Sequence, residues 1–302
     1  MRASNSLKNA IVAAIMNIIT ILIGFIAQKV FISTLGNEYL GINGLFSNVL
    51  SMLAVVELGF GSAIVYHLYK PISEKDEEKI NILMKFYKKT YQIIASIIFI
   101  LGICILPFIK YIIGEVSIGE NIYFLFLLAL LDIVASYLLT YKRSILYADQ
   151  KTYVTNIVHI GYVIFMNISE IIFLLTFHNY IVYLIIKILF RVLENVVITI
   201  IANKRYPFIT KRIDKKIDDY IKKDILKKVK GLLFHRIGGS LVLGTDNIII
   251  SKMCGVITVG LYSNYSMIIN AVTNLLGQVF SSITATIASL SWAMRNWFMK
   301  DS

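Results

Sequence analysis

The sequence predicts an all-α polytopic integral membrane protein with about eight transmembrane helices. Three observations carry this prediction: the composition, the length of the apolar runs and the one-sided distribution of cations. The 302 residues are 57% apolar and only 16% charged, with a mean hydropathy of +0.73. Soluble domains carry about 25% charged residues and roughly 45–50% apolar ones. The composition therefore excludes an ordinary soluble domain.

The apolar runs are long enough to be membrane spans, since an α-helix needs about 20 mostly apolar residues to cross a bilayer. The first run follows MRASNSLK and is longer than the 7–15-residue apolar part of a signal peptide, so we expect it to remain in the mature protein. The predicted spans are 9–33, 44–67, 90–113, 122–141, 153–177, 181–202, 232–251 and 260 to about 292.

The cations indicate the orientation of these spans. Most of the 30 Lys and Arg residues lie at the termini and in the connections after the second, fourth and sixth spans. Cytoplasmic loops of membrane proteins carry such an excess. The sequence therefore predicts that both termini are cytoplasmic. The net charge of +12 is mainly a topology signal, and we expect no nucleic-acid partner.

The longest connection, residues 203–231, has an amphipathic pattern. Ile213, Ile217, Ile221 and Ile225 recur every four residues among lysines. This spacing predicts a basic amphipathic helix that lies on the anionic cytoplasmic leaflet, with anionic lipids bound along Lys204–Lys230. The alternative is a docking site for a cytoplasmic protein.

Charged residues within the predicted spans mark the candidate site. Such residues are costly in a bilayer, so they face a protein interior or a wet cavity. Lys187, Arg191, Glu194 and Asn195 recur at helical spacing and share one face of the sixth span. One interpretation is a structural Arg191–Glu194 ion pair. The other is a water-filled cavity, in which Lys187 and Arg236, without an acid four residues away, favour an anionic ligand. Further charges within the spans are Glu57, Asp132, Glu170, Arg236 and Asp246.

Enzyme chemistry finds little support in the sequence. The four histidines lie on separate predicted helices or at helix ends, without metal-ligand spacing, and no serine is flanked by glycines in a nucleophile motif. Cys104 and Cys254 are isolated in apolar runs, which indicates buried apolar residues and no disulfide framework. We predict no catalytic residue, no metal and no cofactor.

Several strings resemble a known family. They are LGNEYLGINGLF (35–46), ELGFGSAI (57–64), LYKPISEKDEEKI (68–80), YKRSILYADQK (141–151), NKRYPF (203–208), GTDNIIISK (244–252) and GLYSNYSMIINA (260–271). Together they resemble the polysaccharide transporter family, Wzx-like flippases of lipid-linked oligosaccharides and O-antigen. That family is part of the multidrug/oligosaccharidyl-lipid/polysaccharide exporter superfamily.

The resemblance implies two six-helix bundles around a central cavity. It also implies that this cavity moves an undecaprenyl-pyrophosphate-linked sugar repeat to the outer leaflet of a bacterial cell membrane for capsular polysaccharide, exopolysaccharide or O-antigen synthesis. On this basis residues 1–202 form the first six-helix bundle, residues 203–231 the connection, and residues 232–302 the first two helices of a second bundle. The tail after residue 289 no longer resembles the family, so we expect a C-terminally truncated chain.

The resemblance also suggests roles for the charged residues. The expected cavity residues that hold the pyrophosphate are Arg191, Lys187 and Arg236, with Glu194 beside them; Glu57, Asp132 and Asp246 are expected to carry protons or sodium. Polysaccharide polymerase and chain-length machinery are expected partners. Two alternatives remain open at this stage: a cation-coupled exporter of small molecules or drugs, and an inactive fragment of the flippase or one that needs a partner for its missing helices.

Overall fold

A computed structural model describes residues 2–57, 60–212, 215, 217–274 and 276–277, with side chains described from residue 18 onward except at positions 56 and 232–244. These residues form helices and connecting turns, without a strand among them. Residues 1–261 and 262–302 form two compact units. The second unit is helical at 262–274 and 276–277, and the following paragraphs concern the first.

The first unit contains ten α-helices among its described residues. They are α1 (Arg2–Leu35), α2 (Asn37–Leu53), α3 (Phe60–Glu74), α4 (Glu77–Ile105), α5 (Ile109–Ile113), α6 (Ile122–Leu138), α7 (Tyr141–Ala148), α8 (Thr152–Phe177), α9 (Tyr180–Arg205) and α10 (Asp219–Cys254). Short 3₁₀ turns lie at Ala54–Glu57, Leu106–Phe108 and Pro207–Thr210. Residues 256–261 are again helical.

Three of these helical segments are long and apolar enough to cross a membrane. They are Ile18–Leu35, Glu77–Ile113 and Thr152–Phe177, and the pair α6 and α7 counts as a fourth if its 44° bend lies within one span. α9 has the necessary length, but its middle carries Lys187, Arg191 and Glu194. It packs between α8 and α6, so its charged face is turned toward protein.

The observed helices differ from the prediction in one span and in one loop. The span predicted at 44–67 is not one helix, because α2 gives way to the 3₁₀ turn Ala54–Glu57 and α3 begins at Phe60. The segment after α6, predicted as a loop from Lys142 onward, is helix α7 instead.

Cys104 and Cys254 are exposed on their helices, so the expectation that they are buried is wrong.

The predicted amphipathic connection is not a separate helix. From Asp219 onward it is the first part of α10, which continues to Cys254. Ile225 and Val229 are buried in a core formed with α3, α4, α7 and α9, and Ile221 packs against that core. The isoleucine face therefore lies on protein and not on the bilayer surface, whereas Ile213 is outside the described residues.

Two apolar cores leave a polar layer between them. The first core holds α2, α5, most of α6 and the beginning of α9, and the second holds α3, α7, the end of α9 and the beginning of α10. Along α9 the first core ends at Leu184 and the second begins at Ile198. Lys187, Arg191 and Glu194 occupy the interval, which places the candidate site in the middle of the bundle.

Candidate functional site

A cavity of about 360 Å³ lies between α2, α6 and α9 in this polar layer. Three charged residues singled out from the sequence line it: Asp132 from α6, and Lys187 and Arg191 from α9. Helical spacing explains why Lys187 and Arg191 reach the same cavity, since residues four apart lie on one helix face. The neutral polar residues in its wall are Asn43, Ser47, Ser51, Ser136 and Tyr137.

Arg191 is paired with an acid of the neighbouring helix. Its Nε donates to Asp132 Oδ1 at 3.3 Å, and its guanidinium carbon lies 5.3 Å from the centre of the Tyr162 ring. An ion pair and a cation–π contact both stabilise a partly buried guanidinium. The partner considered from the sequence was Glu194, but the structure pairs Arg191 with Asp132.

Glu194 belongs to a separate buried network. Its Oε1 lies 3.0 Å from Arg143 Nη2 and 2.8 Å from His159 Nδ1. Arg143 Nη2 also donates to Asn195 Oδ1 at 3.0 Å, and the Asn195 amide donates to the carbonyl oxygen of Ala135 at 3.2 Å. Glu194 is therefore committed to protein partners and is not among the residues that line the cavity.

Lys187 differs from Arg191, because it forms no ion pair with a carboxylate of the described residues. Asp132, Lys187 and Arg191 together leave one positive charge in the cavity wall. Glu170, on α8, is buried with 3% of its surface exposed, and its Oε1 accepts no hydrogen bond from the described part of the chain.

The remaining candidates lie elsewhere. Glu57 is the last residue of the 3₁₀ turn Ala54–Glu57, where its Oε1 accepts a hydrogen bond from the Tyr91 hydroxyl at 3.4 Å. Asp246 is half-buried on α10, and neither it nor Glu57 lines the cavity. The side chain of Arg236 is outside the described residues. The structure thus brings together Asp132, Lys187 and Arg191.

Two cations counted with the cytoplasmic loop turn back into the protein. Lys142, with 5% of its surface exposed, donates from Nζ to Asn203 Oδ1 at 2.7 Å. Arg143 reaches Glu194 as described above. The contacts of Arg143 and His159 with Glu194 could not be predicted from the sequence, because neither residue stands in a helical register with Glu194. No group of three or more His, Cys, Asp and Glu side chains in the described ranges is arranged to hold a metal ion.

Comparisons with known proteins identify the fold. No protein-family model matches the chain, and no curated protein matches it. A solved structure titled an inward-facing conformation of a multidrug resistance MATE family transporter of the MOP superfamily aligns with a TM-score of 0.55 and 18% identity. The chain has the fold of that transporter. The alignment covers 84% of this chain and 59% of that one.

This likeness confirms the prediction of an all-α polytopic membrane protein. At 18% identity this likeness shows the fold alone, and membership of the exporter superfamily is part of the proposal below. The polysaccharide branch of that superfamily is a finer assignment and belongs to the proposal below. The chain spans about three fifths of the length of the transporter it matches, so its substrate and partners are proposals as well.

Proposed function

We propose that this chain contributes the first bundle of an exporter that moves undecaprenyl-pyrophosphate-linked oligosaccharide repeats across a bacterial cell membrane. The product would serve capsular polysaccharide, exopolysaccharide or O-antigen synthesis. The observation that supports this most is Lys187, a cation in the cavity wall without an ion-pair partner among the described carboxylates. Lys187 is half-buried, and an unpaired cation within a membrane protein is costly unless an anion completes the site.

The chemistry of the cavity suits a pyrophosphate attached to sugar. The Lys187 ammonium acts as a point charge, and the planar guanidinium of Arg191 matches the oxygen geometry of a phosphate. When Arg191 turns to the phosphate, it exchanges one anionic partner, Asp132, for another. Asn43, Ser47 and Ser51 supply the amide and hydroxyl groups that sugar hydroxyls require, and the polyprenyl chain stays in lipid.

Asp132 is the best placed of the proposed coupling residues. It lines the same cavity as Arg191, and it loses its counter-charge whenever Arg191 binds the substrate. A carboxylate that loses its cation takes up a proton or a sodium ion more readily. Substrate binding and ion uptake are thereby linked at one residue pair. Glu57 and Asp246 remain proposed coupling residues outside this cavity, as Arg236 and Glu194 remain proposed substrate residues.

A second candidate is a cation-coupled exporter of small molecules. It is favoured by the fold, because the matching structure is titled a multidrug resistance transporter. It is also favoured by Asp132, which gives the cavity an acid that an amphipathic cation would bind. In that case Lys187 would oppose the substrate instead of holding it.

Two variants distinguish the candidates. The full chain is reconstituted into proteoliposomes, and binding and translocation are measured with undecaprenyl-pyrophosphate-linked chitobiose and with ethidium. The flippase proposal predicts that Lys187→Gln weakens binding of the pyrophosphate lipid at least about tenfold, the equivalent of one charge-assisted contact. Asp132→Asn, which frees Arg191, is expected to leave this binding intact and to impair translocation.

The matched control is Lys110→Gln, which removes an exposed lysine on α5 away from the cavity. Ethidium transport that is lost in Asp132→Asn and enhanced in Lys187→Gln would establish the small-molecule exporter. Equal binding of the pyrophosphate lipid by the wild type and Lys187→Gln would remove the basis of the flippase proposal.

The remaining proposals concern the surroundings of the chain. We place both termini on the cytoplasmic side, anionic lipids along Lys204–Lys230, and polysaccharide polymerase and chain-length machinery as partners. Alkaline-phosphatase fusions test the orientation. Fusions after residues 75 and 150 should be inactive if these connections are cytoplasmic, and a fusion after residue 118 should be active.

A further inference from the structure

A second and larger cavity, of about 650 Å³, lies at the other end of the bundle from α5 and the first core. Its wall is made by the last turns of α3, the first turns of α4 and the beginning of α10. Pockets for small ligands usually measure about 300–1,000 Å³. The cavity is therefore large enough for a ligand of several rings, and none of its lining residues belongs to the central site.

Three exposed tyrosines surround this cavity. Tyr66, Tyr69 and Tyr220 line it and expose 59%, 48% and 82% of their surfaces. Lys70 and Glu74 lie in the same wall, together with apolar side chains. Exposed aromatic rings gathered around one cavity in a charged environment indicate a binding surface.

The charges of the wall are balanced. Lys70 and Lys79 are matched by Glu74 and Asp218 in the lining. Lys70 Nζ lies 3.8 Å from Glu74 Oε1, and Lys79 Nζ lies 3.2 Å from Oδ2 of Asp76, the residue before α4. Because each of these lining cations has an acid nearby, the lining itself offers little net attraction to a free phosphate.

The floor of the cavity is apolar. Pro71, Leu83 and Ile221 contribute to it, and Leu83 is part of the second core. The cavity thus combines ring faces, an apolar floor, and both donors and acceptors of hydrogen bonds without net charge. A carbohydrate presents the complementary surface: its C–H face packs on aromatic rings, and its hydroxyls both donate and accept.

We infer that the cavity between α3, α4 and α10 is a carbohydrate-binding site, in which Tyr69 and Tyr220 stack on the sugar rings. The assignment as a carbohydrate-binding site depends only on the geometry of this cavity. As a first contact for the sugar of the transported lipid, before the pyrophosphate reaches Lys187, it rests on the proposed function.

The test uses the purified full chain in detergent on a printed array of bacterial repeat-unit oligosaccharides that carry no lipid or phosphate. At least one glycan should bind the wild type. Tyr69→Ala and Tyr220→Ala should each weaken binding of that glycan roughly fivefold to tenfold, because a stacked ring is removed. Tyr220→Phe keeps the ring and should retain most of the affinity.

Tyr111→Ala is the matched control, since Tyr111 is also exposed, at 74%, but lies on α5 away from the cavity. The glycans of the array carry no pyrophosphate, so a failure of the pyrophosphate proposal is distinguishable from a failure of this one. The inference is overturned if no glycan binds, or if Tyr69→Ala, Tyr220→Ala and Tyr111→Ala have equal effects. It is also overturned if phosphatidylglycerol vesicles, and no glycan, protect Tyr220 from iodination.

Discussion

Arg143 Nη2 lies 3.0 Å from Glu194 Oε1, so an ion pair joins the first turn of the short helix α7 to the middle of α9. Glu194 is fully withdrawn from solvent at its side chain, whereas Arg143 keeps 18% exposure. His159 from α8 contacts the same carboxylate oxygen. Three helices therefore converge on one buried charge, which makes this network a determinant of the packing of the bundle.

Arg143→Gln is expected to lower the free energy of unfolding by about 3–5 kcal/mol, because removal of one partner leaves the Glu194 charge under-compensated in the interior. Thermal unfolding in detergent measures the effect. Arg143→Gln combined with Glu194→Gln should cost less than the sum of the two single changes, since the double variant contains no orphaned charge.

Lys70→Gln supplies the comparison. Lys70 forms an ion pair with Glu74 at 3.8 Å, but its side chain is 82% exposed, and exposed pairs contribute about 0–1 kcal/mol. If Arg143→Gln were no more destabilising than Lys70→Gln, the buried network would not hold the bundle together.

The sequence predicts which residues share the charged face of α9, but it does not predict which residues of other helices contact that face. The 3.6-residue period alone puts Lys187 and Arg191 on one side of the helix. Asp132, which pairs with Arg191, lies 59 residues earlier in the chain, and no periodicity connects the two positions. The more local Glu194 was therefore considered as the partner, although tertiary packing directs it to Arg143.

The cation count has a similar limit. The positive-inside rule treats every lysine and arginine between two spans as a loop residue, and it locates the basic side of the protein without any structure. Long side chains near a helix end can turn back toward the interior. Lys142 and Arg143 do so, because Asn203 and Glu194 offer them hydrogen-bond acceptors there.

The apolar face of the 203–231 segment shows what a hydrophobic pattern leaves open. The spacing of its isoleucines requires an apolar partner but does not say whether lipid or protein provides it. In the structure, protein does. Ile225 is fully buried in the second core, whereas its neighbour Leu226 is 46% exposed.

This pair of neighbours allows a direct test. Ile225→Ala is expected to lower the free energy of unfolding by about 2–5 kcal/mol, the usual cost of a cavity in a packed core. Leu226→Ala should change it by no more than about 0.5 kcal/mol, as surface substitutions do. Thermal unfolding in detergent, which removes the bilayer, measures both. Equal and small effects would instead support a face that rests on lipid.

Gly41 allows a close approach between α2 and the residues that follow α10. A Cβ at position 41 would meet the backbone oxygen of Val256 at 2.0 Å, and backbone atoms cannot move aside as a flexible side chain can. We expect Gly41→Ala to destabilise the protein by about 1–3 kcal/mol through overpacking. Gly161→Ala is the control within a helix, because nothing lies within 4 Å of its added carbon; it should stabilise α8 by roughly 0.5–1 kcal/mol. A Gly41→Ala variant as stable as the wild type would disprove the close contact.

The contact between Tyr206 and Asp149 predicts a dependence of stability on alkaline pH. The hydroxyl of Tyr206, the residue after α9, donates to Oδ2 of Asp149, which lies between α7 and α8. Burial, and then the hydrogen bond and the charge of Asp149, raise the pKa of Tyr206 well above its usual range. A tyrosine in the unfolded chain has a pKa of about 10. The folded protein therefore holds the proton more tightly, and this stabilisation is fully present below about pH 10 and is lost as the pH rises further.

The comparison of wild type with Tyr206→Phe isolates this effect, because the phenylalanine does not titrate while the contact between Lys151 and Asp149 remains in both proteins. The wild type should have the higher melting temperature from pH 7 to about 10, and the difference should shrink between about pH 10 and 11. Tyr220→Phe is the control, since that ring is 82% exposed, and its difference from wild type should stay near zero throughout. A difference in melting temperature between wild type and Tyr206→Phe that stays constant up to pH 11 would contradict this prediction. It would show that Asp149 does not stabilise the protonated hydroxyl, and that the end of α9 is held against the connection between α7 and α8 by packing alone.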